Sequence, residues 1–402
     1  MMANSKILSV LVFGLAACAS AISIGLGRNE KRQLEVPIVD LGYEVHEGVV
    51  NATGNYYIFN NIPYAEQPLG DLRFQKPVAI KDPGSGINNG TTDEGSIVIC
   101  PQAYPQWVIN NMAAHSGVDP ATMAALLNNQ TGQTEACLVL DVYVPTDIFN
   151  RGAEAEAPVL VWIHGGGFTF GSKTFFGNPA GLISRSRRNG EDGLIIVTVN
   201  YRLGMFGWLA GDDVTPNLGL HDQRLALEWV QQYIHLFGGS AEKVTAMGES
   251  AGASSVVHQI TAYGGKQPAP FRAAIPQSPA FQFNIDLDAS YAHALAEAST
   301  QVGSDVKGVA ALRGLPTEQL IAINRGAVGS APVGTFGFGP GPDGSFVPAI
   351  PQVLLYEGKF DRNVNVSTYL DPLFASPPSP FLFFFYNLRE KDNPIHKRRL
   401  AV

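Results

Sequence analysis

Positive charge is scarce in this chain. Lys and Arg number 27 against 35 Asp and Glu, a net charge of -8 over 402 residues. No basic stripe is left to neutralise phosphates, so a nucleic-acid partner is excluded, and the acidic balance speaks for solubility. Long apolar runs are also missing. Those at Ile7–Ala17 and Phe381–Tyr386 are too short to cross a bilayer, so no stable membrane insertion is expected. There are no internal repeats, no long low-complexity segment and no spacing of His, Cys, Asp or Glu suited to a metal, so neither metal nor organic cofactor is implied. Cysteine is limited to three residues, and past residue 300 the only histidine is His396. What remains is 45% hydrophobic residues on a length that can bury one large core. The 43 glycines and 27 prolines punctuate apolar runs, which reads as many turns rather than disorder.

The first 21 residues read as a secretory signal peptide. Lys6 precedes the apolar run Ile7–Ala17, and Ala19-Ser20-Ala21 supplies small residues at cleavage spacing. Residues 22–32 form a possible propeptide ending at the dibasic Lys31-Arg32. Cys18 leaves with the signal. Cys100 and Cys137 then suggest one disulfide in an oxidising compartment, two separate buried thiols being the alternative. Sequons for N-glycosylation stand at Asn51, Asn89, Asn129 and Asn365. Together these features imply a secreted, glycosylated protein.

From residue 158 the pattern alternates strand and helix. Val159–Ile163 is a short apolar run ending in His164-Gly165-Gly166-Gly167, and Leu194–Val199 is a second, β-branched run. Asp222–Phe237 reads as a helix, because Ala226, Trp229, Val230, Tyr233, Ile234 and Phe237 fall on one face and Gly238-Gly239 stops it. Val244–Met247 and Arg272–Ile275 read as further strands. Asp288–Val302 and Pro316–Asn324 read as helices outside the central sheet. The alternation predicts an α/β fold, a mostly parallel central sheet with helices on both faces.

Gly248-Glu249-Ser250-Ala251-Gly252 is a G-x-S-x-G between a strand and a helix. Glycines on either side of the serine let strand and helix approach closely, so a strained turn can expose the hydroxyl. The helix that starts there favours negative charge at its N-terminus. His164-Gly165-Gly166-Gly167-Phe168 offers successive backbone amides that can face one point, as stabilisation of an oxyanion demands. The amides of Gly166, Gly167 and Ala251 are the candidate donors. His164 lies at a strand end before the glycines, which points to a structural, hydrogen-bonded role.

These stretches resemble the type-B carboxylesterase/lipase family, the cholinesterase-like branch of the α/β-hydrolases. The likeness is carried by "FNNIPYAEQPLGDLRFQKP", "EACLVLDVYVP", "VLVWIHGGGFTFGS", "NYRLGMFGWLA", "NLGLHDQRLALEWVQQYIHLFGG" and "VTAMGESAGASS". "SSVVHQITAYGG" is most similar to fungal secreted members. The resemblance implies an α/β-hydrolase domain over residues 33–366, with Ser250 forming an acyl-enzyme and Gly166, Gly167 and Ala251 donating to the oxyanion. It pairs Cys100 with Cys137. It implies hydrolysis of a small-molecule ester or lipid, with Glu249 supporting the site from behind.

The likeness stops after Val366. The family's catalytic glutamate would fall near residue 374, where Phe374 stands, and its histidine lies in a later loop. Asp371 and His396 are therefore the candidate acid and base, in a divergent tail over residues 367–402. The change in text points to a C-terminally truncated or misread end. His46, His115, His221, His235, His258 and His293 read as structural. A serine without acid and base is a poor nucleophile, so the alternative function is a catalytically inactive, cholinesterase-like binding protein.

Overall fold

The computed structural model describes residues 36–367, apart from 83, 85, 92–94, 176, 212–213 and 282–283. The signal and propeptide segments, Asp371, His396 and nearly all of the divergent tail lie outside the described residues.

In chain order the strands are β1 (Ile38–Asp40), β2 (Val45–Glu47), β3 (Val49–Asn51), β4 (Tyr56–Pro63), β5 (Ile87–Asn88), β6 (Val139–Pro145), β7 (Ala157–Ile163), β8 (Ile195–Val199), β9 (Gly239–Glu249), β10 (Ala273–Gln277) and β11 (Asn365–Val366). Three of them form a small sheet, β1-β2-β5. The other eight form one sheet in the order β11-β10-β9-β7-β8-β6-β4-β3. From β11 to β8 every pairing is parallel; from β8 outward through β6, β4 and β3 it is antiparallel. The expected sheet is thus present with an antiparallel flank on one side. That flank carries a bulge between Phe59 and Ile62, where Asn61 turns its amide onto the Asp141 carboxylate at 2.7 Å.

Side chains alternate across a strand, and here the alternation separates two cores. Val159, Val161, Ile163, Val197 and Val199 enter the large core. Ile196 faces the other way and packs with Tyr56, Tyr143 and Ile183, the last on the short helix Ala180–Ser186. Helix Leu218–Tyr233 begins a turn earlier than its apolar periodicity predicts and continues as a 3-10 turn, Ile234–Phe237. It stops where predicted, because Gly238 takes φ 87°. Helices Leu287–Val302 and Thr317–Gly329 sit where expected, the second a turn and a half longer.

Two devices fix the site end of the sheet. Arg202 donates its backbone amide (3.0 Å), Nε (2.8 Å) and Nη2 (2.6 Å) to the fully buried Asp222 carboxylate. Cys100 and Cys137 are bonded, Cα atoms 5.1 Å apart, and tie down an excursion that carries helices Gln106–Ser116 and Pro120–Asn128.

Candidate active site

Strand β9 ends at Glu249 and the next helix, Ala251–Thr261, starts at Ala251, so Ser250 makes the whole turn. It does so at φ 57°, ψ -118°, a region that costs a non-glycine residue strain on the order of 1–3 kcal/mol. The surroundings overdetermine that strain. The Ser250 amide donates to the Gln277 carbonyl at 3.0 Å, and the Ser250 carbonyl accepts from the amides of Ser254 (3.0 Å) and Ala280 (3.2 Å). Only glycine fits two residues to either side of Ser250. A Cβ on Gly248 would lie 2.4 Å from the Gly252 backbone, and one on Gly252 would lie 2.1 Å from the Ile163 carbonyl oxygen.

The turn after β7 comes up against this serine. A Cβ on Gly165 would stand 2.7 Å from the Glu249 carbonyl oxygen and 3.2 Å from the Ser250 Cβ. Gly166 takes φ 112° and Gly167 φ 59°, both suited to glycine. Among the described residues no hydrogen bond takes up the amide of Gly166 or of Gly167. The turn is clamped from outside. Gln102, two residues past Cys100, accepts from the Gly171 amide at 2.7 Å and donates to the Gly171 carbonyl at 2.9 Å. Trp208 Nε1 and the Gly204 amide both donate to the Phe168 carbonyl, each at 2.9 Å.

Aromatic side chains flank the glycines. A Cβ on Gly167 would meet the Phe336 ring at 2.3 Å. Phe336 touches Phe170 (centroids 6.2 Å) and Trp107 (5.4 Å, edge-on), and Trp107 Nε1 donates to the Thr335 carbonyl at 2.7 Å. This wall joins helix Gln106–Ser116 of the disulfide-bounded excursion to a glycine-rich loop around Phe336. Sequence reasoning missed both partners; the only signal was aromatic residues spaced by glycines in "VGTFGFGPG". A cavity of about 330 Å³ elsewhere, lined by Leu160, Trp162, Ile196 and Met247, faces the opposite side of the sheet from the large core.

The described histidines keep to structural partners. Buried His164 bonds the Gly165 carbonyl through Nδ1 at 2.8 Å, and burial pushes its pKa down to about 4. Buried His258, two turns past Ser250, bonds the Ser254 carbonyl at 2.8 Å and is likewise lowered to about 4 by burial. His221 is edge-on to Phe346, with its pKa lowered to about 3 by burial and then by Lys76, Arg202 and Arg224. His46 pairs with Glu44, His115 with the Asn111 carbonyl and His293 with the Ala327 carbonyl and Ser330, while His235 is exposed. Among the described residues no histidine bonds Ser250. The Glu249 carboxyl is half-buried beside Gly165, and burial raises its pKa.

Residues 39–371 match the carboxylesterase family. A protein named carboxylesterase patB from Aspergillus clavatus is 43% identical over 367 residues, covering 83% of this chain and 64% of that protein. A secreted lipase of Arthroderma benhamiae is 36% identical over 247 residues, 59% of this chain and 46% of that one. The crystal structure of Aspergillus niger EstA superposes with a TM-score of 0.66 at 27% identity, over 83% of this chain and 59% of that chain. The chain thus spans about 64% of the length of the first curated relative it matches.

Proposed function

We propose that this chain, which belongs to the carboxylesterase family, is a secreted serine hydrolase of carboxylic esters. The observation that carries the reading is Ser250 itself, held at φ 57° between strand and helix with the glycine turn of β7 packed on it. In the first step Ser250 Oγ attacks the ester carbonyl carbon. The carbonyl oxygen becomes an oxyanion against the amides of Gly166, Gly167 and Ala251. Collapse expels the alcohol and leaves an acyl-serine. Water then attacks the acyl carbon and frees the acid and Ser250. Asp371 and His396 are the candidates for orienting acid and general base in these steps. Glu249, half-buried behind Gly165, supports the turn.

The wall of Phe336, Phe170 and Trp107 beside Gly167 favours an apolar ester or lipid as substrate. Secretion is supported by the N-terminal signal pattern and by the bonded Cys100 and Cys137. Asn89, Asn129 and Asn365 are exposed and open to glycosylation. The deciding experiment is labelling of the folded, full-length protein with a fluorophosphonate probe. Stoichiometric labelling of the Ser250 peptide, lost in Ser250→Ala, is expected. A folded wild type that resists labelling overturns the esterase reading. It favours instead a silent binding protein, the reading suggested by the absence of a histidine bonded to Ser250 among the described residues.

A further inference from the structure

The three amides assigned to the oxyanion share one construction. In a trans peptide the N–H of a residue points opposite to the C=O of the residue before it. Whatever holds that carbonyl therefore aims the amide. Behind Ala251, the Ser250 carbonyl accepts from the amides of Ser254 and Ala280. Behind Gly167, the Gly166 carbonyl accepts from the amides of Thr169 (3.1 Å) and Phe170 (3.0 Å). Behind Gly166 the partner is a side chain: the Gly165 carbonyl bonds His164 Nδ1 at 2.8 Å. We infer that His164 is a positioning residue, which through the Gly165 carbonyl aims the Gly166 amide at the oxyanion site beside Ser250. The inference rests on the reading of Gly166 as an oxyanion donor.

The imidazole is built to hold one orientation and one tautomer. It is fully buried and stacked on Tyr201 at 4.4 Å and 17°, and the Tyr201 hydroxyl donates to the His164 carbonyl at 2.8 Å. On the Nδ1 side, a Cβ at Gly171 would lie 2.6 Å from Nδ1, so only glycine leaves the ring its place. A carbonyl can only accept, so Nδ1 carries the proton. Nε2 has no hydrogen-bond partner among the described residues and is left as the bare lone pair of the neutral ring. The need for such a clamp follows from the sequence. Gly165 and Gly166 have no side chains to lock the peptide between them, so its direction must be set from outside.

The test uses three variants of the full-length secreted protein. In His164→Asn the amide nitrogen stands where Nδ1 stood. In His164→Gln it reaches toward the Nε2 position, and His164→Leu has no donor. We expect His164→Gln and His164→Leu to lower kcat on p-nitrophenyl butyrate about 10–100-fold with KM nearly unchanged, as for a misaimed oxyanion donor. His164→Asn should stay within a few-fold of wild type. Crystal structures should show the Gly165–Gly166 peptide rotated in His164→Leu and in place in His164→Asn. Equal loss in all three variants, or a peptide that keeps its direction in His164→Leu, overturns the inference. If wild type hydrolyses nothing, the esterase reading fails, while the peptide direction still decides the role of His164. If His164→Leu does not fold, the contrast between the Asn and Gln variants decides it.

Discussion

Gly165 is the position where one added methyl tests how closely the glycine turn must approach the serine. Its φ is not in the left-handed region, so an alanine there carries no backbone strain, only volume. That Cβ would stand 2.7 Å from the Glu249 carbonyl oxygen, 3.1 Å from Glu249 Oε2 and 3.2 Å from the Ser250 Cβ. Ordinary contact begins at 3.4 Å, so the turn and the end of β9 must part by about 0.7 Å. A displacement approaching 1 Å at a catalytic constellation costs on the order of 100-fold in rate. Overpacking in a close-packed site costs about 1–3 kcal/mol in stability. Gly165→Ala should therefore remain folded, with a denaturant midpoint shifted by no more than that cost, yet lose about 10–100-fold in kcat on p-nitrophenyl butyrate. Gly181→Ala is the matched control. Its Cβ meets nothing within 4 Å in the helix Ala180–Ser186, and alanine should stabilise by about 0.5–1 kcal/mol with kcat unchanged. A Gly165→Ala enzyme within twofold of wild type would refute the claim that the turn and Ser250 form one tightly spaced unit.

Four further outcomes are expected. The Cys100–Cys137 bond closes a sequence separation of 37, for which chain entropy gives about 4 kcal/mol; paired serine substitutions should lower the unfolding free energy by an amount of that order, read by urea titration. Asp222→Asn leaves the buried Arg202 guanidinium unpaired and should cost about 3–5 kcal/mol, whereas replacing both partners with apolar residues should recover much of it. His164, His221 and His258 have folded-state pKa values depressed to about 4, 3 and 4, so the unfolded chain binds more protons at mildly acidic pH. The stability this represents is present in full above about pH 6.5 and is lost as pH falls toward 4, by up to about 1.4 kcal/mol per pH unit for each group; an unfolding free energy flat from pH 7 to 5 would contradict it. Glycopeptide mapping should find Asn89, Asn129 and Asn365 modified and Asn51 bare, because the Asn51 amide donates to the Tyr56 hydroxyl (2.9 Å) and its oxygen accepts from the Gly54 amide (2.8 Å).

What could be read in the sequence were features with a local cause. The helix ending at Gly238 was visible because its apolar face recurs every three to four residues and a glycine stops it. The Ser250 turn was visible because flanking glycines signal close approach of strand and helix, and Gly248 and Gly252 are in fact the points of contact. The antiparallel flank was not. Its strand β4 is interrupted by Asn60-Asn61 at the bulge, which breaks the alternation, and only the long-range bond from Asn61 to Asp141 shows why polar residues sit there. The aromatic wall was hidden for the same reason. Trp107, Phe170 and Phe336 come from three separate segments, and nothing local to any of them announces the other two.

The division of the site along the chain has a chemical consequence. On the proposed reading, the amides that would stabilise developing negative charge are all fixed by contacts among the described residues of 36–367. The amides of Gly166, Gly167 and Ala251 are aimed by carbonyls whose partners are all present, and Ser250 is held by Gln277, Ser254 and Ala280. The proton-transfer half, assigned to Asp371 and His396, lies outside those residues. The two halves are separable in energy as well. Hydrolases stripped of a triad member keep about 10³–10⁴-fold acceleration over water from the oxyanion hole and binding alone. Substituting Asp371 and His396 together should then leave either a large drop to that residual level, if they serve Ser250, or no change at all, if they do not. In the second case Ser250→Ala should cost little, because the glycine turn rather than the serine would then account for whatever catalysis the protein shows.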